Sequence, residues 1–152
     1  MKEPTDILKK ACSYCIYQER TQAEVREKLK SWGLSRDHSE EVIAWLITEN
    51  FLNEGRYARQ FAGGKFRVKK WGRRRILFEL KAKGISAPCI RDALSEIPEE
   101  DYRQTLNALA EKKAADLHPE KDPFVLRKKI TTYLLMKGYE PELISDTLRL
   151  PD

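Results

Sequence analysis

One apolar signature is written three times along this chain, and each time it ends on a glycine. Val25, Leu29, Gly33 and Leu34 have the spacing of Ile76, Leu80, Gly84 and Ile85, and Ile130, Leu134, Gly138 and Tyr139 repeat it. A second apolar pair four residues apart follows each glycine: Val42 and Leu46, Ile90 and Leu94, Ile144 and Leu148. The first copy holds three extra residues before its pair. Steps of four put side chains on one helix face, and a glycine just past a Lys- or Trp-bearing last turn is a helix stop. The glycines stand 51 and 54 residues apart, just above the usual solenoid period.

Each unit therefore reads as a leading helix, a middle helix ending at the glycine, and a short third helix. The pattern predicts helices over 4–18, 21–32, 37–50, 53–69, 72–83, 86–96, 98–116, 123–137 and 140–148. No run of alternating β-branched residues suggests a strand. A three-helix unit of about 50 residues buries little alone, so neighbours should stack. The expected fold is all-α: three tandem three-helix repeats, 1–51, 52–97 and 98–152, stacked in an elongated, curved array.

Start signals agree with this division. Thr21-Gln-Ala-Glu24 and Asp37-His-Ser-Glu40 both fit a capping box, in which side chain and Glu satisfy each other's free backbone donors. Asn53 and Ser86 suit N-caps, and Pro88 and Pro141 suit first turns. "LHPEKDP" at 117–123 is the best inter-unit linker, because its prolines break the helical pattern. Gly63-Gly64 inside a leading helix costs about 1 kcal/mol per glycine relative to Ala, which marks a kink or a close approach.

Chemistry is sparse. His38 and His118 sit in no nucleophile or metal motif. "GGKF" at 63–66 fails as a phosphate loop, since Arg59 and Phe66 stand where Gly and Ser or Thr are required. Cys12-Ser-Tyr-Cys15 has no second ligand pair, and Cys89 stands alone, so the pair reads as small core hydrophobes. Three cysteines, with no basic-apolar leader in "MKEPTDILKKACSY", fit a reducing cytoplasm. No apolar run approaches the ~20 residues of a spanning helix, so no membrane is expected. Neither an enzyme nor a cofactor is expected.

Charge is where the chain commits itself. The net charge is only +5 over 152 residues. Yet 56–83 holds eleven basic residues against one acid, Glu79, which is +10 and leaves the remainder at −5. Such asymmetry favours a polyanionic partner over general solubility. The candidate contact residues are Lys65, Arg67, Lys69, Lys70, Trp71, Arg73, Arg74, Arg75, Lys81 and Lys83. Arg74 and Arg75 cannot both share the face of Ile76 and Leu80, so part of the run must point outward. Tyr57, Phe61, Trp32 and Trp45 read as core. Trp71, among the cations at a joint between helices, is either a plug or a contact platform.

These residues also resemble a known family. "VIAWLITENFLNEGRYARQFAGGKFRVKKWGRRRILFELKAKGIS" (42–86) is similar to RecX proteins, bacterial regulators of the RecA recombinase. The match rests on Arg75, Ile76, Glu79, Leu80, Lys83, Gly84 and Ile85, and on Phe51, Leu52, Arg56, Tyr57 and Ala58. "TQAEVREKLKSWG" and "ITTYLLMKGY" fit the flanking repeats. Three departures stand out: Asn50 where the family carries Gly, Asn53 and Glu54 for two Asp, and Lys70 for the first Gly of K-G-x-G. The resemblance implies a non-enzymatic modulator that lodges in the groove of the RecA filament on single-stranded DNA and lowers ATP hydrolysis and strand exchange; a monomer is expected. The competing expectation is direct single-stranded nucleic-acid binding by the same face. Only Phe66 joins Trp71 in interleaving the run, which is sparse for stacking platforms.

Overall fold

The computed structural model describes residues 4–149, and those residues form helices joined by short turns and loops, with no strand among them. The first unit contains α1 (Pro4–Tyr17), α2 (Gln22–Ser31) and α3 (Arg36–Thr48). The second contains α4 (Glu54–Gly64), a π-helical segment (Lys65–Lys69), α5 (Arg73–Ala82) and α6 (Ala87–Ser95). The third contains α7 (Glu99–Asp116), α8 (Pro123–Lys137) and α9 (Pro141–Thr147). This is the all-α, three-unit array that the repeat predicts.

The repeated glycine closes the same turn three times. Gly33, Gly84 and Gly138 have φ of +85°, +81° and +104°, a region that L side chains rarely adopt. Just beyond them, the amides of Leu34, Ile85 and Tyr139 each donate to the carbonyl five residues back, on Leu29, Leu80 and Leu134, at 3.1 Å. That is the Schellman closure, and it turns each middle helix into its short third helix. The signature residues Val25, Leu29, Ile76, Leu80, Ile130 and Leu134 all lie in the core.

Burial divides the molecule unevenly. One apolar cluster joins α1 to α3 with Leu52; a second runs without interruption from Tyr57 to Ile144. Units two and three are thus one body, and unit one is another. The surface of 10004 Å² exceeds the about 8,000 Å² expected of a compact monomer of this mass, as an elongated arrangement requires.

Four expectations need correction. The third helix of unit one starts at Ser35, whose hydroxyl accepts from the His38 amide; Glu40 pairs with Arg26 at 3.1 Å instead of closing a box from Asp37. Residues 117–123 link α7 to α8 inside unit three, not one unit to the next. The helix predicted over 53–69 stops being α-helical at Gly64 and widens into the π-segment. Trp45 is 40% exposed and stacks on Phe51, because the core face of α3 is taken by Val42, Ile43 and Leu46. The capping box at Thr21 and the Asn53 N-cap form as predicted.

Candidate interaction surface

The basic run lies across the joint between the π-segment and α5. Widening of the helix after Gly64 turns Phe66 inward against Tyr102, with ring centroids 5.8 Å apart, and leaves Arg67, Val68, Lys69 and Lys70 all exposed. A Cβ on Gly63 would meet only the mobile end of Arg67, and one on Gly64 would meet nothing. The glycine pair therefore marks a change of helix type, not a close backbone approach. Lys70 then adopts the left-handed region, φ +60°, and ends the segment. Asn50, φ +66°, is the only other non-glycine there among the described residues.

A joint of this kind strands backbone groups on both sides, and Gly72 offers no side chain to cap α5. Unit three satisfies them. The amides of Gly72 and Arg74 donate to the carbonyls of Lys137 and Gly138 at 2.8 and 2.9 Å, and the amide of Arg73 donates to the Tyr102 hydroxyl at 2.9 Å. In return the Tyr139 hydroxyl donates to the Lys70 carbonyl at 2.8 Å and the Lys137 ammonium to that of Lys69 at 3.0 Å. The closeness needs glycine on both strands: a Cβ on Gly72 would lie 2.4 Å from the Gly138 carbonyl, and one on Gly138 would lie 2.4 Å from Arg75 Cβ.

Arg73 turns inward at this joint. It forms ion pairs with Glu140, at 2.8 Å, and with Glu99, and its guanidinium lies over the Tyr102 ring at 3.7 Å. Burial opposes its charge, but hydrogen bonds to the two carboxylates outweigh that and hold its proton more tightly than usual. Arg73 also holds the Glu99 carboxyl below its ordinary range. Burial and the hydrogen bond to Glu140 push the Tyr102 hydroxyl far up. Trp71 is half-buried against the core, edge-on to Phe61, with Arg75 and Lys65 over its ring at 4.2 and 5.1 Å. It fills the joint and carries two cations on its face.

Of the eleven cations of 56–83, Arg56 and Arg59 pair with Glu19 and Glu96, and Arg73 with its two carboxylates. Lys65, Arg67, Lys69, Lys70, Arg74, Arg75, Lys81 and Lys83 have no acidic partner among the described residues. Unit three adds Lys137, whose ammonium is easier to deprotonate than usual, through burial first and then the nearby charges of Arg75, Lys69 and Lys112. Like charges about 8 Å apart in water cost roughly 0.5 kcal/mol per pair, less in physiological salt. The five hydrogen bonds to the main chain of the joint contribute about 0.5–1.5 kcal/mol each against it. The fold can thus hold a cationic patch together without neutralising it.

Lys137, Tyr102, Tyr139, Glu99 and Glu140 are the residues that sequence reading misses. One signal was available: the third copy of the repeat carries Tyr139 where the others carry Leu34 and Ile85. A buried tyrosine asks for a hydrogen-bond partner.

The remaining candidates for chemistry have structural places. Cys15 is buried in the first core, which pushes its thiol up to about 11, and Cys12 lies beside that core. Among the described residues no group of His, Cys, Asp or Glu could hold a metal ion, and no helix is long and apolar enough to cross a membrane.

Comparison with known proteins gives a consistent result. Models of the first, second and third three-helix domains of RecX match residues 8–46, 53–94 and 99–148. The chain is 35% identical over 131 residues to "Regulatory protein RecX" of Clostridium perfringens strain 13, which is 86% of this chain and 61% of that protein. It therefore spans about three fifths of the length of the clostridial relatives it matches. The protein of the same name from Prosthecochloris aestuarii is 34% identical over 141 residues, covering 93% of this chain and 90% of its own. The crystal structure of RecX from Lactobacillus salivarius superposes with a TM-score of 0.85 at 28% identity, over 93% of this chain and 92% of that one.

Proposed function

The chain belongs to the RecX family of regulatory proteins, and from that premise we propose that it binds the RecA filament on single-stranded DNA and lowers its ATP hydrolysis and strand exchange. One observation carries the reading: eight cations without acidic partners stand on the fused body of units two and three. A surface so charged is matched by a partner that offers acidic protein and phosphate together. An elongated array fits along a helical groove better than a compact one of equal mass.

The contact residues in this reading are Lys65, Arg67, Lys69, Lys70, Arg74, Arg75, Lys81 and Lys83, with Lys137 from unit three. Arg73 and Trp71 position them from within. Direct gripping of bare single-stranded DNA is less favoured, because Phe66 is buried and Trp71 already carries two cations.

The test is RecA ATPase on single-stranded DNA, titrated with this protein and with a Lys69→Glu/Arg74→Glu/Arg75→Glu variant. Inhibition by the native chain, lost in a variant of equal helicity, is expected. Equal inhibition by both would remove this surface from the contact, and none by either would remove the reading. Binding to the same DNA without RecA separates the alternative. If about four phosphates were neutralised, log affinity would fall against log salt with a slope near −3.

A further inference from the structure

Beside the cationic patch lies a surface of another character. Phe78 on α5 is 69% exposed, and Met136 and Leu135 on α8 are 74% and 43% exposed. The three line one open groove of about 530 Å³ between the helices, with Arg74, Arg75 and Glu79 at its edge. From their fractional exposure they present roughly 350 Å² of apolar surface, the size of the largest patch on a typical monomer, which is often functional. The joint that satisfies the start of α5 from the end of α8 also fixes this groove, since both walls come from the bonded helices.

We infer that this groove docks a segment of the partner protein that carries acidic side chains around one bulky apolar residue. The apolar residue sits between Phe78, Leu135 and Met136, and the acids face Arg74 and Arg75. A second copy of this chain fits poorly, because a two-fold interface here would bring Arg74 and Arg75 against their own counterparts. Nucleic acid fits less well: Phe78 is the one stacking face in the groove, and Leu135 and Met136 would lie against base edges that stay wet. A lipid surface would also suit the mixture of charge and apolar side chains, and the vesicle arm of the test below separates it. Methionine at the rim suits an irregular apolar insertion, since its unbranched chain reshapes easily. The inference deepens the regulatory reading above and rests on it for the partner, though not for the groove's chemistry.

The probe is a fluorescein-labelled twelve-residue peptide of Asp and Glu with one central Phe, compared with the same peptide carrying Ser at the centre. By anisotropy the Phe peptide should bind about tenfold more tightly, as burial of one aromatic side chain implies. A Phe78→Ser/Met136→Ser variant, both positions exposed and so expected to fold, should bind the two peptides equally. Equal binding of both peptides to the native chain, or a difference that survives in the variant, overturns the inference. Sedimentation with phosphatidylglycerol vesicles that the variant loses, without peptide discrimination, overturns it in favour of lipid. The peptide assay contains no recombinase. A groove that discriminates while ATPase is untouched rejects the regulatory reading alone; inhibition with no discrimination rejects the groove alone.

Discussion

The two junctions between neighbouring units differ in how far the main chain takes part. Between units two and three the joining closes on the backbone: five main-chain groups across the Lys69–Arg74 joint are satisfied, two by the Lys137 and Gly138 carbonyls and three by the side chains of Tyr102, Lys137 and Tyr139, and two glycines let the segments touch. Between units one and two the joining is by side chain. Arg56 donates to Glu19 at 2.6 Å and to the carbonyls of Asn50 and Phe51, and a cavity of about 600 Å³ lies alongside, lined in part by Arg20, Asn53 and Lys83. The second oxygen of Glu19 is buried there without a protein partner. A backbone junction tolerates almost no substitution at its contact points; a side-chain junction can lengthen, rotate or let water in. Most of the basic surface sits at the junction of units two and three, and Lys83 alone reaches the cavity at the other.

The largest effect should separate three glycines that the repeat makes equivalent. Gly33→Ala and Gly84→Ala have open space around the new methyl group and should cost only the left-handed penalty, about 1–2 kcal/mol. Gly138→Ala adds overpacking against Arg75, about 1–3 kcal/mol more. Denaturant unfolding of the three variants checks this, and equal losses would erase the contrast.

Alkali should strike the fused body next. Burial raises the hydroxyls of Tyr57, to about 12, and of Tyr102 and Tyr139 further, and all three belong to the second core. A raised folded value means stability that is whole below pH 10 and lost as pH climbs through the folded values, about 1.4 kcal/mol per unit for each tyrosine. Tyrosinate absorbance followed with helicity should show ionisation of three of the six tyrosines coupled to unfolding. Free titration of all six near pH 10, with helices intact, would contradict the packing.

Tyr102→Phe comes third. It removes the acceptor for the Arg73 amide and the donor to Glu140, and should cost about 1–3 kcal/mol. Hydrogen exchange should quicken at the start of α5 and leave unit one unchanged. Last is Arg56→Gln, about 1–2 kcal/mol for an ion pair whose side chains are 33% and 19% exposed. It should loosen exchange around 50–56 and leave α5 and α8 protected. A loss as large as that of Gly138→Ala would mean that the two junctions are alike after all.

Much of this was legible in the residues. Gly33, Gly84 and Gly138 announced three identical turns because only glycine accepts that backbone freely, and the buried pairs before them set the helix faces. Asn50 and Lys70 were visible as departures from the family's glycines, and both hold the left-handed backbone that glycine would have held. What could not be read was pairing across distance. Arg73, Arg74 and Arg75 are alike in sequence, yet Arg73 is drawn inward by Glu99 and by Glu140, 67 residues away, while its neighbours face solvent. The π-segment was hidden for a related reason. Its hydrogen-bond register depends on Phe66 meeting Tyr102, a contact that no local pattern encodes.

The backbone joint also has a consequence in time. Helix α5 holds its own apolar anchors, Ile76 and Leu80, but the carbonyls that accept from the Gly72 and Arg74 amides emerge from the ribosome more than sixty residues later. Until Gly138 and Tyr139 have left the exit tunnel, the nascent α5 must fray at its amino end or satisfy those amides with water. The cationic surface is therefore fully fixed only once unit three has emerged, and a ribosome still at work on α8 carries an α5 whose first turn is incomplete.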